Sequence, residues 1–254
     1  MADDTKITEA AHLIAQSKHL VVLTGAGVSK ESGIPTFRDA LGGLWEQYDP
    51  MMLATPQAFR DNPKLVWAWY EYRRGMVREV LPNPGHKALV ELEDLLPSVI
   101  VITQNVDDLH QRAGSSDIVT LHGALMQSKC FFDCQGASTL IDIAPTDDLS
   151  DGPPPCPYCG RWVRPAVVWF GEILPEGALT RAMAAIELAD VVLVVGTSGM
   201  VEPAASLPRL ARQSGATLVE VNPQASQITR WADVWLAGPS GVVLPQVVES
   251  IRTG

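Results

Sequence analysis

Four cysteines, Cys130, Cys134, Cys156 and Cys159, fall within a 30-residue stretch, and the remaining 224 of the 254 positions hold none. Two closely spaced pairs joined by a 21-residue segment can bring four thiolates to a tetrahedral Zn²⁺. A closed Cys₄ shell marks a structural metal rather than a catalytic one. The first pair is one residue wider than the usual CxxC, so four reduced, unliganded thiols are the competing reading. Four cysteines are too few for a disulfide scaffold in a chain of this length.

Three further motifs could do chemistry. Gly25-Ala26-Gly27-Val28-Ser29 is followed by Glu31-Ser32-Gly33-Ile34-Pro35. Glycines there let the backbone come close to a pyrophosphate, and a following helix would offer free amide donors and a positive dipole end. Lys30 departs from GxGxxG, so a plain tight turn competes. Thr103-Gln104-Asn105-Val106-Asp107-Asp108 sets amides and carboxylates at one point, which suits a ribose or a carboxamide; capping of the next helix by Asp107 is the bland alternative. Leu121-His122-Gly123 offers an imidazole able to take a proton near neutral pH. His86 reads as a helix-start residue, and His12, His19 and His110 have no partner motif.

These motifs follow apolar runs that must position them. Leu20–Leu23, Val99–Ile102, Val191–Val195 and Thr217–Val221 are rich in β-branched residues, as expected of strands buried on both faces of a parallel sheet. Ile118-Val119 is a shorter run of the same kind. Helical spacing at residues 7–16, 86–96, 178–189 and 204–213 alternates with them. The expected fold is α/β, with a Rossmann-like parallel-sheet core, a small Cys₄ zinc-binding module and a helical insertion. The core spans 1–38, 86–123 and 166–254, the helical insertion 39–85 and the zinc module 124–165. Residues 146–155 read as a flexible loop.

Composition narrows the function. Hydrophobic residues make up 46% and charged residues 19%, as in a globular protein. Nineteen Lys and Arg against 29 Asp and Glu leave a net charge of −10, which argues against nucleic acid as a partner. The first residues are acidic where a signal peptide would be basic, and no apolar run reaches the ~20 residues of a membrane span. A cytoplasmic protein without a membrane partner is expected, and nothing specifies its oligomeric state.

Taken in order, the glycine motif with Gly33-Ile34-Pro35-Thr36-Phe37-Arg38, Thr103 to Asp107, Leu121-His122-Gly123, the cysteine pairs, Val168-Trp169-Phe170-Gly171-Glu172 and Gly196-Thr197-Ser198 resemble the sirtuins, the NAD-dependent protein lysine deacylases. The resemblance covers about residues 8–245. It implies that the acyl oxygen of a modified lysine displaces nicotinamide from C1′ of NAD. The acyl group then passes to ADP-ribose, giving free lysine and O-acyl-ADP-ribose. By the same resemblance the catalytic residues are His122, as general base, with Asn105 and Asp107.

The cofactor-binding residues implied are Gly25, Ala26, Gly27 and Ser29 at the pyrophosphate, and Phe37, Arg38 and Trp45 in a cofactor loop. Gln104, Asn105, Val106 and Asp107 would surround the nicotinamide and its ribose. Gly196, Thr197, Ser198 and Asn222, with Pro223, Gln224 and Ser240, would complete the set. Val168, Trp169, Phe170, Gly171 and Glu172 would pair with an acyl-lysine peptide as an added strand. Tyr70 and Arg73, three apart on a helix, resemble the Tyr-x-x-Arg pair of class III sirtuins, which take succinyl and malonyl lysine. The loop holding Ala40 is one residue longer than that branch's pattern, and Gly199 stands where many members have Ser. A protein ADP-ribosyltransferase, or a zinc-stabilised NAD and acyl-lysine binding module without turnover, are the alternatives. An oxidoreductase fits poorly without GxGxxG.

Overall fold

A computed structural model describes residues 3–36, 48–143 and 152–254. Phe37, Arg38, Ala40 and Trp45 lie outside the described residues. The strands are β1 (Leu20–Thr24), β2 (Val99–Thr103), β3 (Ile118–Thr120), β4 (Gly123–Cys130), β5 (Val163–Val167), β6 (Val191–Val195), β7 (Thr217–Val221) and β8 (Val234–Leu236). The helices are α1 (Asp4–Ala15), α2 (Pro50–Leu53), α3 (Pro56–Asp61), α4 (Pro63–Glu79), α5 (Pro84–Leu95), α6 (Leu109–Ala113), α7 (Glu176–Leu188), α8 (Leu207–Gln213) and α9 (Ser240–Thr253).

Six strands form one parallel sheet in the order β3-β2-β1-β6-β7-β8. Successive residues of a strand face opposite sides. Leu20, Val22, Leu193 and Val195 pack against Ile7, Ile14, Leu89, Leu92, Val243 and Val247 of α1, α5 and α9. Val21, Leu23, Val192 and Val194 pack against Ala182, Ile186, Leu207 and Ala211 of α7 and α8. Both faces are covered, which is why the strands read as unbroken apolar runs. No helix among the described residues is long and apolar enough to cross a membrane.

The chain turns outward from β1 in opposite directions, through β2 and β3 on one side and β6 to β8 on the other. Ligands of such sheets sit at the carboxyl ends of the strands flanking this reversal. Here those ends are the turns after β1 and β6, and they touch. Gly25 N–H donates to the Val195 carbonyl (3.1 Å) and Gly27 N–H to the Gly196 carbonyl (2.8 Å). A Cβ on Gly27 would stand 2.6 Å from that same carbonyl oxygen, and one on Gly196, whose φ is +61°, would collide with the Val28 nitrogen. Past the turn, the helix that follows is a 3₁₀ helix, Ala26–Ser32, which ends at Gly33 in the left-handed region.

The cysteine-bearing segment leaves the sheet as the antiparallel pair β4–β5. Helix α4 packs on it: Val66, Trp69 and Tyr70 share a core with Leu125, Val167 and Trp169, and Trp67 lies with Cys130, Cys156 and Val163. Arg74 joins the two by donating to the carbonyls of Leu125 and Gln127 (both 2.7 Å) and to Ser128 Oγ (2.9 Å), while pairing with Glu71 (2.5 Å). A guanidinium this buried is tolerable because its donors are met.

Candidate active site and metal centre

At the head of β1 and β2 the polar motifs meet in one hydrogen-bonded network. Ser29 Oγ donates to Asp107 Oδ2 (3.0 Å) and accepts from Asn105 Nδ2 (3.0 Å). Its single proton is spent on the carboxylate, so His86 Nε2, 3.4 Å away, can only donate to it. Asp107 Oδ1 also accepts from the Leu109 N–H that opens α6 (3.1 Å), so this residue serves helix and site together. Burial pushes the Asp107 carboxyl up, against the hydrogen bonds from Leu109 and Ser29. Gln104 reaches across the sheet reversal to donate to Thr197 Oγ1 (3.1 Å), and Asn222 Nδ2 donates to the Thr197 carbonyl (2.9 Å). Hydrogen bonds therefore join Ser29 to Asn105 and Asp107, and Thr197 to Gln104 and Asn222, while Gly25 and Gly27 bond to Val195 and Gly196, so these expected dinucleotide residues gather at the carboxyl ends of the strands. Pro223 and Gln224 are exposed just after β7. Ser240 lies buried at the start of α9, bonded to Glu31 (3.3 Å).

Two histidines enter this network without having announced themselves in the sequence. His110 Nε2 lies 3.0 Å from Thr24 Oγ1, and its ring meets that of His86 edge-on, with centroids 4.9 Å apart. Both are buried, and their Nδ1 atoms have no partner among the described residues. Burial pushes His86 down to about 4 and His110 to about 3, the latter also through its neighbour His86. They are neutral in the folded protein.

His122 is differently placed. Its Nδ1 lies 2.9 Å from the Gln104 carbonyl, which can only accept; the ring proton therefore sits on Nδ1 and leaves the Nε2 lone pair free. Burial lowers its pKa, partly opposed by that bond. A neutral imidazole with a defined basic nitrogen can take a proton from a ribose hydroxyl. The His122 carbonyl also accepts from Val168 N–H (2.8 Å), tying this histidine to the segment expected to meet a peptide.

In that segment Val168 is half-buried, Trp169 is buried, and Phe170 and Gly171 are exposed. Glu172 is not turned to a ligand: its carboxylate holds Arg164 (2.5 and 3.0 Å) and accepts from Trp169 N–H (2.8 Å). Arg164, unnoticed in the sequence, is itself buried and stacks 3.3 Å from the Trp169 ring centroid. Tyr70 and Arg73 share a face of α4, and the Arg73 guanidinium lies 4.8 Å from the Trp69 ring and 5.8 Å from the Tyr70 ring. Burial lowers the Arg73 pKa, while Tyr70 and Asp107 act in the opposite sense, so Arg73 is within electrostatic reach of the Ser29 network.

The four cysteine sulfurs lie within 4.8 Å of one another. Cys130 Sγ–Cys159 Sγ and Cys134 Sγ–Cys156 Sγ are both 3.7 Å, far longer than a disulfide. Tetrahedral zinc with bonds of about 2.3 Å requires sulfurs about 3.8 Å apart. The donor set and its spacing fit a structural Zn²⁺.

Two outcomes follow. Purified protein should contain about one zinc per chain, and chelation should lower its melting temperature by about 5 °C or more; a metal-free protein melting at the same temperature would refute the site. For the histidine pair, the unfolded chain binds protons below about 6.5 while the folded chain resists until about 4 and 3. Stability contributed by the neutral rings is therefore intact above 6.5 and lost as pH falls. The urea midpoint should drop between pH 6.5 and 4 more steeply in the wild type than in His86→Asn/His110→Asn. Parallel profiles would show that the pair does not titrate on unfolding.

Comparison with known proteins agrees with this geometry. The model of the Sir2 family matches residues 25–203. An NAD-dependent protein deacylase of Pseudomonas aeruginosa is 53% identical over 245 residues, covering 95% of this chain and 98% of its own. A crystal structure of a Sir2 homologue in complex with NAD superposes with a TM-score of 0.90 at 46% identity, covering 96% of this chain and 93% of that one. The structure of Sir2Af2 bound to a myristoylated histone peptide superposes at 0.76 and 35% identity, covering 99% and 98%. Two glycine turns that meet at the sheet reversal, a histidine held through Nδ1 beside them, a four-cysteine module and these likenesses together place the chain in the Sir2 family, as an NAD-dependent protein deacylase.

Proposed function

We propose that the deacylase acts on lysines carrying acidic acyl groups, succinyl and malonyl, in preference to acetyl. The observation that supports this is the Tyr70–Arg73 pair on the face of α4 turned toward the Asp107 network. Moving a carboxylate into the apolar surroundings of Tyr70 is costly unless it meets a cation and hydrogen-bond donors. Arg73 supplies the first in a planar fork that suits a carboxylate, and Tyr70 carries a hydroxyl beside it. Burial already disfavours the charge on Arg73, and an anionic acyl group would offset that cost.

In this reading NAD, when bound, supplies an electrophilic ribose carbon with nicotinamide as its leaving group. The chain's part is to orient and to move a proton. Gly25 to Ser29 and the Gly196–Ser198 turn hold the dinucleotide at the carboxyl ends of the strands, and Asn105 and Asp107 face the nicotinamide ribose. His122 takes the ribose hydroxyl proton on Nε2. The exposed Phe170–Gly171 turn, just past Val168, lies along the peptide, whose acyl-lysine enters toward Tyr70.

The assay is mass spectrometry of succinyl-, malonyl- and acetyl-lysine peptides of one sequence, with nicotinamide release measured in parallel. NAD-dependent removal of succinyl or malonyl should exceed removal of acetyl, and Arg73→Met should lower the succinyl-to-acetyl ratio of kcat/KM by roughly tenfold to a hundredfold. Preference for acetyl, or for a long apolar chain such as the myristoyl group seen on a relative's peptide, would defeat the reading. Mass gain by ADP-ribose would point to transfer instead. His122→Ala should retain the wild-type melting temperature and zinc content and lose nearly all turnover; undiminished turnover would remove it as the base.

A further inference from the structure

The indole of Trp169 has a donor and no acceptor, and it donates to the Tyr70 hydroxyl oxygen at 2.7 Å. One side of that oxygen is thereby taken as acceptor, and the phenolic proton must point elsewhere. Among the described residues it meets no acceptor. The indole cannot swing away: Arg164 stacks on its face, and the Glu172 carboxylate that pairs with Arg164 also accepts from the Trp169 main chain. Both side chains are buried in one cluster, with ring centroids 6.2 Å apart. The Arg73 guanidinium lies 4.8 Å from the Trp69 ring and 5.8 Å from the Tyr70 ring.

We propose that Trp169 is a positioning residue for acyl-group selection: by occupying the acceptor side of Tyr70 it makes the phenol an obligate donor toward a carboxylate at the end of the acyl chain. This rests on the acidic-acyl reading above. The geometry gives the reason. A phenol free to rotate can present lone pairs as readily as its proton, and lone pairs repel a carboxylate. With the indole proton on the oxygen, the phenol is also polarised toward giving up density at its own O–H, so the two bonds strengthen each other. Burial pushes the Tyr70 pKa up to about 12, so the proton is present at any working pH. The Arg164–Glu172 pair, which has no place in the chemistry, acquires one here as the brace that fixes the indole. The side chain of Trp169 thus has work distinct from its main chain, which the peptide-pairing expectation concerned.

The experiment measures kcat/KM for succinyl- and acetyl-lysine peptides of one sequence with NAD, in the zinc-loaded protein, for wild type, Trp169→Phe, Tyr70→Phe and the double variant. The ratio cancels any loss common to both substrates. Trp169→Phe should lower the succinyl-to-acetyl ratio by about two- to tenfold, mainly through the succinyl KM, the scale of one neutral hydrogen bond. Tyr70→Phe should lower it at least as far, and the double variant no further than Tyr70→Phe alone, because Trp169 acts through Tyr70. An unchanged ratio in Trp169→Phe, or losses that multiply in the double variant, would overturn the proposal. Should Trp169→Phe fail to fold, the same ratio is read with Trp169 replaced by its benzothiophene isostere, which keeps the ring and lacks the N–H. A wild type that prefers acetyl defeats the acidic-acyl reading and this proposal with it. A wild type that prefers succinyl with an indifferent Trp169→Phe defeats the proposal alone.

Discussion

Two backbone turns share the space at the head of β1 and β6, and they fit only because both are nearly bare of side chains. Gly27 and Gly196 are in such contact that a methyl group on either would strike the other's main chain. That contact sets the site. It draws the Gly25–Ser29 turn against the Gly196–Ser198 turn, brings Thr197 to Gln104, and aims Ser29 inward at Asn105 and Asp107. The glycines expected to give room to a pyrophosphate are first needed so that the protein's own two halves can meet.

The second constraint is that buried polar groups must find partners, since each one left orphaned costs about 1–3 kcal/mol. Ser29, Asn105 and Asp107 meet this by bonding to one another, and Asp107 also serves the start of α6. His86 and His110 meet it only in part, each with an Nδ1 that has no partner among the described residues. Their depressed basicity follows from the same burial, and keeps two cations out of a network that Arg73 already reaches electrostatically. His122, fixed through Nδ1 on the Gln104 carbonyl, stands at the edge of this network rather than inside it.

Helix α4 joins the two lobes of the site. Arg74 ties it to β4, Trp67 to the cysteine module, and Tyr70 to Trp169, so the face carrying Tyr70 and Arg73 belongs to the same helix that covers the cysteine module. The cysteine cluster has no part in the chemistry, yet β4 and β5 run from it to His122 and Val168. Its integrity sets where those two residues stand.

Much of this was legible in the chain itself. The β-branched runs predict β1, β2, β6 and β7 because strands buried on both faces must be apolar throughout, and the cysteines sit close enough in sequence that spacing alone nearly dictates a shared ligand. Among the elements that escaped are two whose local pattern is weak: β8 is three residues long, and α9 carries Pro245 in its interior. What sequence could not reveal is which distant side chains meet. Tyr70 and Trp169 are 99 residues apart, and the His86–His110 pair joins α5 to α6. Periodicity records which face of an element is buried, but says nothing of what covers it. Strand order and the close passage of two glycine turns decide that, and so the sequence alone determined the kinds of chemistry available, while only the tertiary structure decided which groups carry it and which merely hold them in place.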